Sequence, residues 1–261
     1  LASVTALIIM GQHTGSFYVA AFFRFVLVMI GVLSSSVVNL IFLPPKFETK
    51  IYYNSMNISS DIFVWFKLVL NDTSEFHNIK QDGDQLNSRI NKLEKIFDYY
   101  NEERPLTKKH IYQQNRKKIL FREVVRTTRQ AYEVLKRMSR YQNDLYQLNN
   151  QLLLQIKLEL DSLVTLHEQI FKSLSKKARY DVTQLDYEVD NPQKKNLMDA
   201  FQQELIKNPH QTQYSYSNMM QIIAEIEEYR YQLEHLDRIR LSFFTYHRSD
   251  TDIDISDEDF D

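Results

Sequence analysis

From Phe25 to Leu43 the chain runs nineteen residues, FVLVMIGVLSSSVVNLIFL, without a charged side chain, and it stops on Pro44-Pro45-Lys46. At about 1.5 Å per residue, a helix of that length covers roughly 30 Å, the hydrocarbon thickness of a bilayer. A core helix of a globular protein would show a polar face, and this run has none. A signal peptide would begin with positive charge and close on a small-residue cleavage site, whereas this run closes on Leu-Pro-Pro-Lys. The pattern predicts a membrane-spanning helix over about 19–43, and residues 17–43 leave room for tilt.

The first ten residues, LASVTALIIM, are also apolar and read as the end of a preceding span; the chain starts on Leu, as a piece cut inside a hydrophobic segment would. GQHTGSF (11–17) is a short polar turn, so 1–45 is expected to be a truncated transmembrane region shaped as a helical hairpin. The loop 11–18 has no Lys or Arg, while Lys46, Lys50 and Lys67 follow the second span. That asymmetry puts everything after Pro45 in the cytoplasm. Arg24 is the single formal charge in 1–45, and Asn39 is a polar amide at bilayer depth. Both are candidates for a substrate pathway; the plainer readings are interfacial anchoring for Arg24 and an interhelical hydrogen bond for Asn39. Gly31 and Ser34-Ser35-Ser36 are small enough for close helix packing.

Beyond Pro45 the apolar period becomes 3.6. Phe47, Ile51, Ile58, Ile62, Trp65 and Val69 form one stripe, interrupted by Asn54. Leu86, Ile90, Leu93, Phe97 and Tyr100 form a second, and Phe121, Val124, Thr128, Ala131, Leu135, Met138 and Leu145 a third with Gln142 on the seam. Leu152, Ile156, Leu163, Ile170 and Leu174 make a fourth; Ile222, Ile226, Tyr229, Leu233, Leu236 and Phe243 make the last. A weaker short helix is expected near 193–207. Breaks fall at 71–74, at Glu103-Arg104-Pro105, over the polar stretch 175–192 and at Asn208-Pro209. The fold class read from this is all-α, with a cytoplasmic antiparallel helical bundle over 46–247. Residues 248–261 end the chain as an acidic tail expected to be disordered, since 249–261 hold seven acids and no Lys or Arg.

Residues 104–140 carry twelve Lys or Arg against Glu123 and Glu133. Arg122, Arg126, Arg129, Lys136 and Arg140 lie off the apolar stripe. A solvated basic face is the default reading; contact with anionic headgroups of the inner leaflet is the functional one, with an anionic small molecule or nucleic acid behind it. No nucleic-acid motif accompanies the patch, so no nucleic acid is expected as partner.

The search for catalysis is negative. The four glycines, at 11, 15, 31 and 83, make no phosphate loop, and there is no GxSxG or HExxH. His167-Glu168 and Glu234-His235 are adjacent pairs that do not share a helix face, and His235 and Asp237 point apart. The chain has no cysteine. No enzyme activity, metal or cofactor is expected.

Three segments, RFVLVMIGVLSSSVVNLIFLPPKFETKIYYN (24–54), RKKILFREVVRTTRQAYEVLKRM (116–138) and EYRYQLEHLDRIRLSFFTYH (228–247), resemble the aromatic acid exporter family, related to fusaric-acid-resistance-type efflux proteins, in its bacterial branch with a helical cytoplasmic C-terminal domain. The resemblance runs from about residue 1 to 247 and is most specific at Arg24, Gly31, Asn39 and Pro44-Pro45. It implies the C-terminal part of a multi-pass plasma-membrane protein that exports aromatic carboxylates, with the bundle serving assembly or gating and the bilayer as its surroundings. A homo-oligomer is left open. The alternative is a membrane-anchored cytoplasmic scaffold or regulatory module without transport.

Overall fold

The computed structural model describes residues 17–42, 47–71, 76–103, 108–148, 150–174, 197–207 and 213–246. The expected end of a preceding span (1–10), most of its turn, the Pro44-Pro45 joint, the stretch 175–192, the break at 208–209 and the acidic tail lie outside these residues. The chain divides into two compact units, 1–46 and 47–261. All secondary structure among the described residues is helical.

In the first unit α1 spans Phe17–Phe42. Successive residues turn by about 100°, so Phe22, Phe23, Phe25, Leu27 and Val28 point all around the axis. All five are exposed. Ser34 Oγ donates to the Gly31 carbonyl at 3.1 Å. Nothing described approaches Gly31, where an added Cβ would meet open space. Among the described residues no helix is long and apolar enough to cross a membrane, and the described side chains of α1 end at Ser36. The span expected over about 19–43 is therefore described only in part.

The second unit holds α2 (Phe47–Leu70), α3 (Phe76–Glu102), α4 (Lys108–Arg140), the short α5 (Gln142–Tyr146), α6 (Asn150–Leu174), α7 (Leu197–Lys207) and α8 (Gln213–Tyr246). α2, α3 and α4 run up, down and up. Tyr100 near the end of α3 bonds Glu48 at the start of α2, and Tyr132 of α4 bonds the Gly83 carbonyl of α3. α4 is the central helix, with α2, α3 and α8 packed along it. α8 is antiparallel to it: Tyr141, just past α4, reaches Gln221, Arg137 reaches Gln221 and Glu225, and Gln130, earlier in α4, reaches Glu225.

The expected stripes are the buried ones. Ile51, Ile58, Ile62 and Val69 are buried in α2, Leu86, Ile90, Leu93 and Tyr100 in α3, and every apolar member of the fourth and last stripes in α6 and α8. Two details differ. The third stripe belongs to two helices: α4 stops at Arg140, Tyr141 turns the chain, and Leu145 reaches the core from α5. The order is also not a simple alternation. Tyr52 near the start of α2 donates to the Phe171 carbonyl near the end of α6 at 3.2 Å. α6 and α8 therefore both finish at the end of the bundle where the chain enters at Phe47, and they run the same way. Two helices in the same direction need a long connection between them; within the chain between α6 and α8, α7 packs against both.

Candidate functional site

α1 carries the two residues expected on a substrate path. Arg24 is half-buried. Asn39 belongs to the same helix, and its side chain lies outside the described residues. Fifteen residues of helix separate them, about 22 Å along the axis.

The five basic residues of α4 do not form one patch. Arg122 Nε lies 3.0 Å and Arg126 Nη1 3.9 Å from the carboxylate of Glu123, which is sealed beneath them. Both guanidinia remain exposed, each side chain at 60%. Arg129 instead faces α3. It holds Glu94 with two bonds, at 2.9 and 2.7 Å, and reaches Asn87 and Asn91 at 3.2 and 2.9 Å. The Glu94 hydrogen bond holds its proton more firmly than usual. A planar fork against a carboxylate and two amides is a tie between helices. Lys136 pairs with Glu133 one turn back at 3.0 Å, and Arg140 lies over the Tyr141 ring at 5.5 Å.

Polar groups are also sealed in the core. His167 stacks on Phe171 with ring centres 4.4 Å apart, meets Phe63 edge-on, and places Nδ1 2.7 Å from the Tyr229 hydroxyl. Burial holds the imidazole neutral, its pKa lowered to about 3, and pushes the Tyr229 phenol up. Arg240 and Asp237 form an ion pair at 2.7 Å with side chains 1% and 0% exposed. The sequence reading placed Tyr229 in the last stripe and gave His167, Asp237 and Arg240 no role. The signal was present: His167 fills the gap between Leu163 and Ile170, and Arg240 that between Leu236 and Phe243. A polar residue at a stripe position is one the core must accommodate.

At the Phe47 end, Glu48 accepts from Tyr100 at 3.0 Å and pairs with Lys117 at 3.1 Å. Burial first, then Glu48, raises the Tyr100 phenol. Lys118 Nζ reaches the Asn101 and Glu103 carbonyls at 2.8 Å. It thus closes the last turn of α3, where unsatisfied carbonyls favour a cation.

Beside this end, α4 and α8 enclose an open groove of about 850 Å³ lined by Arg116, Ile119, Tyr231, His235, Arg238, Ile239, Ser242 and Phe243. Ile119 and Tyr231 are exposed on its wall. Arg116 lies over the Tyr112 ring at 4.4 Å and bonds its hydroxyl, while Arg238 Nε donates to the Glu234 carbonyl at 3.4 Å. Neither guanidinium is ion-paired with a carboxylate among the described residues. Apolar walls with cations on them suit an anion that carries apolar groups. Among the described residues, no three His, Cys, Asp or Glu side chains gather as a metal site would require.

No family model and no solved structure matches the chain. It is similar to the UPF0421 protein YgaE of Bacillus subtilis (strain 168), a name that states no activity. The two are 34% identical over 256 residues, which cover 97% of this chain and 71% of that protein. With identity at that level across nearly all of its length, the chain belongs to the UPF0421 family.

Proposed function

We propose that this chain is the C-terminal part of a multi-pass plasma-membrane protein that exports aromatic carboxylic acids. Its last span is the helix over about 19–43, and the bundle from residue 46 lies in the cytoplasm and serves assembly or gating. The observation that carries the membrane part is the charge-free run 25–43, together with a helix that exposes Phe22, Phe23, Phe25, Leu27 and Val28 around its circumference. A helix apolar on every side requires an apolar surrounding. The export part is supported by the resemblance of 24–54, 116–138 and 228–247 to aromatic acid exporters.

The test is efflux by the full-length protein in a bacterial host stripped of its own aromatic acid exporters. Expression should lower the intracellular level of a loaded aromatic carboxylate, and Arg24→Gln should restore that level without reducing the amount of protein in the membrane. Equal accumulation with and without the protein would leave the membrane-anchored module as the reading. Full efflux by Arg24→Gln would remove Arg24 from the path.

A further inference from the structure

The groove between α4 and α8 is built from one face of each helix. Tyr231, His235, Arg238 and Ser242 recur at spacings of four, three and four residues, so they share one side of α8 over about 16 Å. Tyr112, Arg116 and Ile119 recur in the same way on α4. The antiparallel register set by Arg137 on Gln221 and Gln130 on Glu225 brings Arg116 level with 239–242 of α8. The groove has three chemical parts. Tyr231, 54% exposed, and His235 hold their rings within 4° of parallel, with centres 6.3 Å apart. Ile119, Ile239 and Phe243 form an apolar wall. Arg116, held by the Tyr112 ring and hydroxyl, and Arg238, one turn beyond His235, supply two guanidinia that no carboxylate pairs with among the described residues.

We infer that this groove binds a small aromatic carboxylate. Its ring lies on the Tyr231–His235 pair and against the apolar wall, and its carboxylate meets the guanidinia of Arg238 and Arg116. A guanidinium fork matches a planar carboxylate, and ring on ring suits an aromatic body better than an alkyl chain. The volume of about 850 Å³ lies within the roughly 300–1,000 Å³ of small-molecule sites. Two other anions fit less well. A nucleotide carries ribose and base-edge groups that need hydrogen bonds, and Ile119, Ile239 and Phe243 give them no partner. A flat lipid surface would be met by cations on a convex face, whereas both guanidinia line a groove. The site is also separate from Arg24, which belongs to the other unit. On the exporter reading, on which its role rests, the groove samples the exported class of acid on the cytoplasmic side. The binding itself needs only the groove.

The experiment uses the full-length protein in phosphatidylcholine nanodiscs with 4-benzoylbenzoate, a photoreactive aromatic carboxylate. On irradiation the probe should attach within 112–119 and 231–243. Excess cinnamate should lower that labelling at least fivefold. Octanoate, an acid without a ring, and cinnamamide, a ring without a charge, should leave most of it. Arg116→Gln with Arg238→Gln should lower labelling at least fivefold, and so should Ser242→Trp, which fills the groove from an exposed position. Arg122→Gln with Arg126→Gln, elsewhere on α4, should not. The competition uses the unaltered chain, so it decides the matter even where a variant folds poorly. Labelling confined to other segments, equal competition by octanoate or cinnamamide, or full labelling of either groove variant would overturn the inference. Stronger displacement by adenosine monophosphate or by short-chain phosphatidylglycerol than by cinnamate would do so as well. The exporter reading fails separately: labelling without efflux would remove transport and leave the groove, and efflux without labelling would do the opposite.

Discussion

His167 is a weak base in an apolar box, and its protonation state is coupled to folding. Its pKa is lowered to about 3 by burial, while in an unfolded chain it is near 6.5. The native state therefore resists the proton that the unfolded state accepts. The stabilisation is full above pH 6.5 and is lost as pH falls from there toward 3, at about 1.4 kcal/mol per pH unit. Urea unfolding at pH 7 and pH 5 should show about 2 kcal/mol less stability at the lower pH from this group. His167→Gln keeps a hydrogen-bonding partner for Tyr229 but cannot titrate, so its loss over the same interval should be smaller by that amount. An equal loss in both proteins would refute the assignment. Asp237 and Arg240 are a different case. Removing one partner would strand the other charge in the core, so the pair is fixed as a unit.

α4 is the element that organises the bundle, and its charges divide by partner. It has 33 residues, about 50 Å, and Arg116 and Arg140 lie about 36 Å apart along it. That is several times the screening length of about 8 Å at physiological salt, so the basic run acts as separate patches. Arg129 joins α4 to α3, whereas Arg122 and Arg126 point outward over Glu123. Arg129→Met is expected to cost about 1 kcal/mol of stability, a partly exposed but well-oriented network being worth that much. It should leave any response to anionic lipid unchanged. Arg122→Glu with Arg126→Glu should abolish that response, and it also costs stability because it removes both cations over the sealed Glu123 carboxylate. Hydrogen exchange in anionic against neutral nanodiscs separates the two: added protection over 120–127 in anionic lipid should survive Arg129→Met and disappear in the double variant. Protection that is the same in both lipids would remove Arg122 and Arg126 from the headgroup layer.

At the scale of the whole molecule, the proposed reading makes the chain a membrane helix leading into a cytoplasmic bundle. The absence of cysteine makes this directly measurable. A single cysteine replacing Ser16 should react with an impermeant maleimide added to intact cells, and one replacing Lys50 should react only after the cells are opened. Labelling of both in intact cells, or of neither, would contradict the proposed topology. Much of the bundle was legible beforehand, because helical period is a local property. Ile51, Ile58 and Ile62, or Ile222, Ile226 and Leu233, recur as the helix turns, and they are buried where that recurrence requires. Tertiary structure alone decided what lies across from each face. It sealed His167 against Tyr229, buried Arg240 with Asp237, turned Arg129 inward to Glu94, and brought Arg116 and Arg238, more than a hundred residues apart, onto one groove. It also ran α6 and α8 in the same direction, which the stripes could not specify because a stripe is equally apolar read from either end. The sequence by itself determined the helices, their inner faces, the uncharged run and the acidic tail, since these depend on residue type and spacing along one chain. The fate of each charge depended on the neighbour that packing supplied.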